Sequence, residues 1–498
     1  MASAYEALLE FVRETGQLAA IQELLDWDQQ VCMPPKGVHA RAEQVGLVAG
    51  LVHERLTSPR MGDALAALTE PTGDPVADTN IRETRRAYDR AVKVPGDLVR
   101  EIARTSALAH EAWAQARRES DFPTFAPFLE RLVDLRRRVA ECIGYVVEPY
   151  DALLDEYEPG MSTAQVAELF AALRRGLVPL VQAVAGAARR PDASILTRHY
   201  PIDAQRELVL EISRAMGFDF EAGRMDVSTH PFTSGSCPGD VRLTTRYDDH
   251  FLPSALFGAM HEVGHGLYQQ GLPAEHVFTP MGASVSLGIH ESQSRMWENL
   301  VGRSTAFWHC WYADVQRRFP DALADVGREA FLGAVNAVSP SFIRVEADEV
   351  TYNLHIILRF ELEREIVQGR LAVADIPQAW NAKFTELLGV TPPDDRRGCL
   401  QDIHWSMGAF GYFPTYALGN LYAAQFFSAA RQAIPDLDDR VAGGDLRTLL
   451  DWLRENIHCH GQRYRATELV EKVTGQPLRV GPFLDYVRGK MSPFYGLR

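Results

Sequence analysis

The chain has 498 residues, 46% of them hydrophobic and 23% charged, an ordinary globular composition with length enough for a large buried core. Its 66 acidic residues outnumber 51 basic ones for a net charge of −15, which argues against a nucleic-acid backbone as partner. No Gly/Ser-rich or Pro-rich linker, block of like charge or fixed-period repeat divides the chain. One domain is therefore expected over residues 1–498, with a helical part at 1–217 and a second part at 218–498.

The opening stretch, MASAYEALLEFVRETGQLAAIQELLDWDQQ, lacks a basic region followed by an apolar one. It reads as an acidic amphipathic helix, so no cleaved leader is expected. Nor does any apolar run approach the roughly 20 residues of a membrane span, and no membrane partner is expected. To about Gly217 the period is helical, with breaks at Pro34-Pro35, Pro59, Pro71, Pro95, Pro123, Pro149 and Pro159-Gly160. The stretch from Ser162 to Arg190 is the clearest case: Ser162 can cap it, and apolar residues recur at three- and four-residue steps. Near Arg224 the texture changes. RMDVSTHPFTSGSCPGDVRLTTRYDDHF is rich in Val, Thr and turn residues, and DVRLTTRY alternates, which predicts a small hairpin or sheet. Such a sheet is either purely structural or an edge that pairs with an extended peptide.

Next comes AMHEVGHGLYQQG, Ala259 to Gly271, within a stretch predicted to be helical from Ser254 to Gln270. His261 and His265 then lie one turn apart on one face, close enough to share a metal ion. Glu262 lies about 100° round the helix, beside the ion and off the ligand stripe. Zinc lowers the pKa of a bound water to roughly 7, and a carboxylate in that position can take its proton. The rival reading is a surface helix with two solvated histidines. A catalytic zinc needs a third protein ligand. Glu275 and His276 follow the breaker Gly271-Leu272-Pro273 and are expected on a loop leading away. SVSLGIHESQSRMWENL predicts a helix that starts near His290 and is opened by Glu291, with Glu298 on the same face two turns deeper. Glu291 is either the third ligand, a carboxylate favoured by the helix dipole, or a partner of Arg295.

More helices follow. Arg344 stands in the otherwise apolar FIRVEAD, and GCLQDIHWSMGAFGYFPTYALG is dense in Trp, His, Tyr, Phe and Gly, a composition that suits a lined pocket as well as a packed corner. The six cysteines, Cys32, Cys142, Cys237, Cys310, Cys399 and Cys459, show no C-x-x-C spacing, which predicts free thiols in a reducing cytoplasm. Cys237 and Cys399 lie in polar, glycine-bearing stretches and are either nucleophiles or incidental thiols.

Taken in order, HPF (His230–Phe232), DVRLT (Asp240–Thr244), HEVGH (His261–His265), HESQ (His290–Gln293), IRVEAD (Ile343–Asp348) and GCLQDIHW (Gly398–Trp405) resemble the patterns of the Taq-type thermostable carboxypeptidase family. WDQQVCMPP near the start is similar to that family's opening segment, so the likeness spans nearly the whole chain. The resemblance implies His261, His265 and Glu291 as ligands, and Glu262 as general base and proton shuttle. It implies a mainly α fold with a long central groove, like neurolysin and angiotensin-converting enzyme, and a small antiparallel β-sheet beside the metal-binding helix. The 1–217 part would cover the groove and the 218–498 part would hold the metal. It also implies a homodimer.

A carboxypeptidase needs a cation for the substrate's terminal carboxylate, and arginine's planar fork suits it. Arg344 resembles the family's carboxylate-binding arginine; Arg242 is the second candidate, or else it pairs with Asp240. Tyr412, Tyr416 and His230 are candidates by resemblance for steadying the oxyanion. Gln401, Asp402 and His404 either shape the pocket, orient a ligand histidine, or hold helices together. The expectation is a cytoplasmic metallocarboxypeptidase that takes single residues from the C-terminus of short unfolded peptides. It would use zinc, with cobalt or manganese as acceptable substitutes. The rivals are a zinc endopeptidase or dipeptidase on the same scaffold, and a metal-free helical interaction protein that keeps the motif as a relic.

Overall fold

Prolines and short polar side chains set the helix ends much as their spacing predicts in the computed structural model, which describes residues 2–497. Ser58 caps the helix that starts at Pro59, Pro149 opens the helix Pro149–Leu154, and Ser162 forms a capping box with Gln165 at the start of Thr163–Gly186. The chain divides into two units, each drawn from three stretches. The first unit runs to Val92, then takes Asp192–Val335 and Ala423–Pro477; the second takes Lys93–Pro191, Asn336–Tyr422 and the chain from Leu478 onward.

In the second unit the helix Tyr352–Val367 is buried nearly all round, with Leu354, Ile356, Ile357, Leu358 and Phe360 beside the buried polar Asn353, His355, Arg359 and Glu363. A helix of that kind belongs at the centre of a core. Helices Phe122–Ile143, Thr163–Gly186 and Ile376–Leu388 pack against it. Helix Thr163–Gly186 is long and apolar enough to cross a membrane by length and composition, which corrects the expectation that no run comes near that mark. Its Val166, Phe170, Leu173 and Leu177 are buried.

In the first unit the expected small sheet is present, with a difference. It has three strands, β1 (Gly223–Val227), β2 (Thr233–Cys237) and β3 (Asp240–Thr245), in the order β1-β3-β2. β2 and β3 pair antiparallel, but β1 and β3 run parallel, so the sheet is mixed where an antiparallel one was expected. The reason is topological. Residues 228–239 form a connection long enough to carry the chain back to the end at which β1 began, and β2 lies within that return. Buried Thr244 locks the return in place: its Oγ1 accepts hydrogen bonds from Ser228 Oγ at 2.7 Å and Phe232 N–H at 2.8 Å.

The helix Leu252–Gly271 packs on β3, on helix Ile202–Met216 and on helix Leu287–Arg295. It extends the predicted Ser254–Gln270 span at both ends, with Pro253 in its first turn, where a missing N–H costs nothing. Helix Leu287–Arg295 starts earlier than expected, because Ser286 caps it by accepting from Ile289 N–H at 3.1 Å. Glu291 therefore sits inside the helix and does not open it.

Candidate active site

His261 and His265 come from one helix and Glu291 from the next, and what brings them together is a glycine. A Cβ on Gly264 would lie 2.7 Å from the Gln293 carbonyl oxygen and from Ser294 Cα, both backbone atoms of the neighbouring helix. Only glycine lets the two helices approach this closely. His261 Nε2 and His265 Nε2 then lie 3.5 and 3.4 Å from the same oxygen, Glu291 Oε2. Candidate ligand atoms of the three residues all fall within 4.8 Å of one another.

The outward-facing atoms of this cluster are tied. His261 Nδ1 donates to Glu298 Oε2 at 2.9 Å, and His265 Nδ1 donates to the His290 carbonyl at 3.0 Å. When neutral, both imidazoles are thereby held in the tautomer that turns a bare Nε2 lone pair inward, the arrangement a metal ligand needs. Arg295 takes Glu291's other oxygen through Nε at 2.7 Å and also reaches Glu298 Oε2 at 3.3 Å. Glu291 thus pairs with Arg295, as one of its readings had it, while its other oxygen faces the two histidines.

Burial alone would raise the Glu291 pKa; Arg295 and the two histidines outweigh it and hold the carboxyl well below its usual range. Glu298 is half-buried, which raises its pKa, but Arg295 and His261 outweigh that and bring it down to about 2. Burial pushes the His261 pKa down, and Glu291 and Glu298 more than reverse that. Ionised oxygens and inward lone pairs converge here, a donor set that fits a divalent cation.

Glu262 is buried on the same helix. Thr233 Oγ1, at the start of β2, lies 2.7 Å from Glu262 Oε2 and 3.1 Å from its carbonyl. The sheet therefore fixes the carboxylate's direction. Thr233 and the arm from Glu298 to His261 escaped the sequence reading of the site; Glu298 carried a signal, its seven-residue spacing from Glu291, while Thr233 carried none.

The second unit holds a different cluster. Asp402 is shared by two arginines: Arg344 Nε and Nη2 donate to Oδ1 at 3.0 and 2.8 Å, and Arg359 Nε donates to Oδ2 at 2.7 Å. Arg344 Nη1 donates to the Tyr352 hydroxyl at 2.9 Å, and its guanidinium lies 4.8 Å from the centre of the Tyr416 ring. Burial would raise the Asp402 pKa, but the two guanidiniums hold it far below the usual carboxylate range. His404 Nε2 lies 3.2 Å from the Tyr416 hydroxyl, and burial pushes its pKa down to about 3, so the ring is neutral at pH 7. Tyr412 packs between His404 and Tyr157, with ring centres 5.2 and 5.1 Å away.

A family model described as carboxypeptidase Taq (M32) metallopeptidase matches residues 7–491. This chain belongs to the M32 carboxypeptidase family. It is 48% identical to thermostable carboxypeptidase 1 of Thermus thermophilus, across 99% of both chains, and 39% identical to carboxypeptidase 1 of Bacillus subtilis, across 95% of both. The crystal structure of an M32 carboxypeptidase from Deinococcus radiodurans superposes with a TM-score of 0.96 at 41% identity, covering 99% of this chain and 100% of that one. The protein is a metallocarboxypeptidase, a peptide hydrolase acting at C-termini.

Within this M32 member the other candidate residues divide. Arg242 forms a two-point ion pair with Asp240, at 2.9 and 3.0 Å, and stacks 4.3 Å above Trp27, as its alternative reading had it. His230 is exposed at the β1–β2 connection, and its carbonyl accepts from Ser228 Oγ. Gln401 accepts from Arg344 N–H at 2.8 Å and donates to the Phe342 carbonyl at 2.9 Å, so it fastens the backbone that carries Arg344. His261 and His265 are oriented by Glu298 and the His290 carbonyl, a task expected of Gln401, Asp402 or His404 toward a ligand histidine. All six cysteines are free thiols, and burial raises the Cys399 pKa, which is the wrong direction for a nucleophile.

Proposed function

We propose that His261, His265 and Glu291 hold a zinc ion, with cobalt or manganese able to take its place, and that Glu262 is the general base of C-terminal peptide hydrolysis. The observation that carries this reading is the pair of inward Nε2 atoms meeting one oxygen of Glu291 while every outward atom is tied. When bound, a divalent cation supplies Lewis acidity and makes water acidic near neutral pH. Glu262, aimed by Thr233, takes the water's proton as the oxygen attacks the scissile carbonyl, then passes it to the departing amine. Glu298 and the His290 carbonyl keep the imidazoles from swinging away.

Arg344 binds the substrate's terminal carboxylate. Of its five N–H donors, the described contacts take three, one from each nitrogen, and leave one on each terminal nitrogen, the pair a carboxylate engages bidentately. Tyr412, Tyr416, His230 and His404 are proposed to steady the substrate or the oxyanion, and Arg242 to keep the sheet in shape. The two units serve as one carboxypeptidase domain, which the span of the family match supports. Short unfolded peptides as substrates and a homodimeric state follow from the family resemblance. A cytoplasmic location is supported by the six free thiols.

The test is amidation of a peptide's C-terminus. The amide should be cleaved at under about a hundredth of the rate of the free acid, because a neutral end cannot pair with a buried guanidinium. Equal rates on acid and amide would point to an endopeptidase instead.

A further inference from the structure

The Arg344–Asp402–Arg359 cluster carries two positive charges and one negative, and all three groups are buried or nearly so: their side chains are 7%, 11% and 0% exposed. A surplus cation is costly in such surroundings unless an anion completes it. Arg359 has no room to serve as the ligand-facing member. It stands on the central helix Tyr352–Val367, stacks 4.6 Å from the Trp380 ring, and donates through Nη1 to the His355 carbonyl at 2.8 Å. Both remaining nitrogens go to Asp402 Oδ2. Arg359 is therefore a fixed post, and Asp402 is the link between that post and Arg344.

We infer that Asp402, anchored by Arg359, is a positioning residue that holds the guanidinium of Arg344 with its two remaining N–H groups turned toward the substrate's terminal carboxylate. The inference rests on the clamp role proposed above for Arg344. Asp402 contributes direction as well as charge. A single oxygen, Oδ1, takes Nε and one Nη2 hydrogen from one edge of the guanidinium plane, and the Tyr352 hydroxyl takes a hydrogen from Nη1. The plane is thereby held at two points, which spares the substrate the entropy of ordering a long side chain.

The experiment measures KM and kcat on one free-ended peptide for the metal-loaded wild type and the variants Asp402→Asn, Asp402→Glu and Arg344→Met, with the Tm of each. KM does not depend on how much of a preparation is folded, so a purely structural role would lower Tm and apparent kcat and leave KM in place. Positioning predicts that Asp402→Asn raises KM at least tenfold while kcat falls less than threefold. Asp402→Asn strips the counter-charge from two buried guanidiniums and risks not folding. Asp402→Glu keeps that charge and moves the carboxylate by one methylene, and it is expected to raise KM at least threefold. Arg344→Met separates the two ideas. If its KM is unchanged, the clamp reading fails and this inference goes with it. If its KM rises while every folded Asp402 variant keeps the wild-type KM, the clamp stands and only the positioning role is overturned.

Discussion

The metal cluster and the arginine cluster are built by opposite rules. Around Glu291 the atoms facing away from the centre are each satisfied, by Arg295, Glu298 and the His290 carbonyl, and the atoms facing inward are acceptors. Around Asp402 the acceptor lies inside and is saturated, and the donors left over belong to Arg344. One region is short of a cation and the other is short of an anion.

The sharpest way to break the comparison is at the base. Glu262→Gln keeps the ligand set and the Thr233 contact partner but cannot take a proton, so turnover should fall by about 10²–10⁴-fold with the metal content unchanged. Undiminished turnover in a metal-replete variant would assign the base elsewhere. Next in size is Glu298→Gln, which keeps a hydrogen-bond acceptor for His261 and removes the charge. Metal affinity, read by competition with a chelator, should weaken by roughly 10–100-fold. If affinity holds, the link from Glu298 to His261 does not tune the ligand.

The smallest expected effect tests the arginine side against a neighbouring carboxyl. Glu363, fully buried, is met by neutral donors, the Tyr150 hydroxyl, Trp405 Nε1–H and Gly411 N–H, where Asp402 is met by two cations. Burial consequently pushes its pKa up to about 7. Because that value lies above the ordinary 4.5, the folded state holds a proton that the unfolded state has lost between those two pH values. Its contribution is complete below about 4.5 and is lost as the pH rises through about 7. Denaturant unfolding at pH 5 and pH 7.5 should show a fall in stability that shrinks, by a few kcal/mol at most, in Glu363→Gln. An identical fall in both proteins would mean that Glu363 does not titrate in this range.

Much of the metal cluster was readable before any coordinates. The spacing of His261, Glu262 and His265 is local, and a helix period places two residues four apart on one face whatever surrounds them. Ser162, Pro149 and Pro253 act at the helix ends where their backbone chemistry sends them. The order of the six motifs carried the family and, with it, the expectation of Glu291 as third ligand. The sheet was legible as strands, but its parallel pair was not, because periodicity reports alternation and says nothing of strand direction.

What the amino-acid order determined by itself was thus the chemistry of each local stretch: a pair of imidazoles with a carboxylate beside them, a lone arginine in an apolar run, and a family signature in sequence. Tertiary structure alone decided which distant groups meet. Gly264 admits the second helix, Thr233 crosses from a strand to aim Glu262, and Asp402 ties Arg344 to Arg359. Those meetings depend on close packing and on satisfying buried charge, which are properties of the whole folded chain and leave no mark at short range in the sequence.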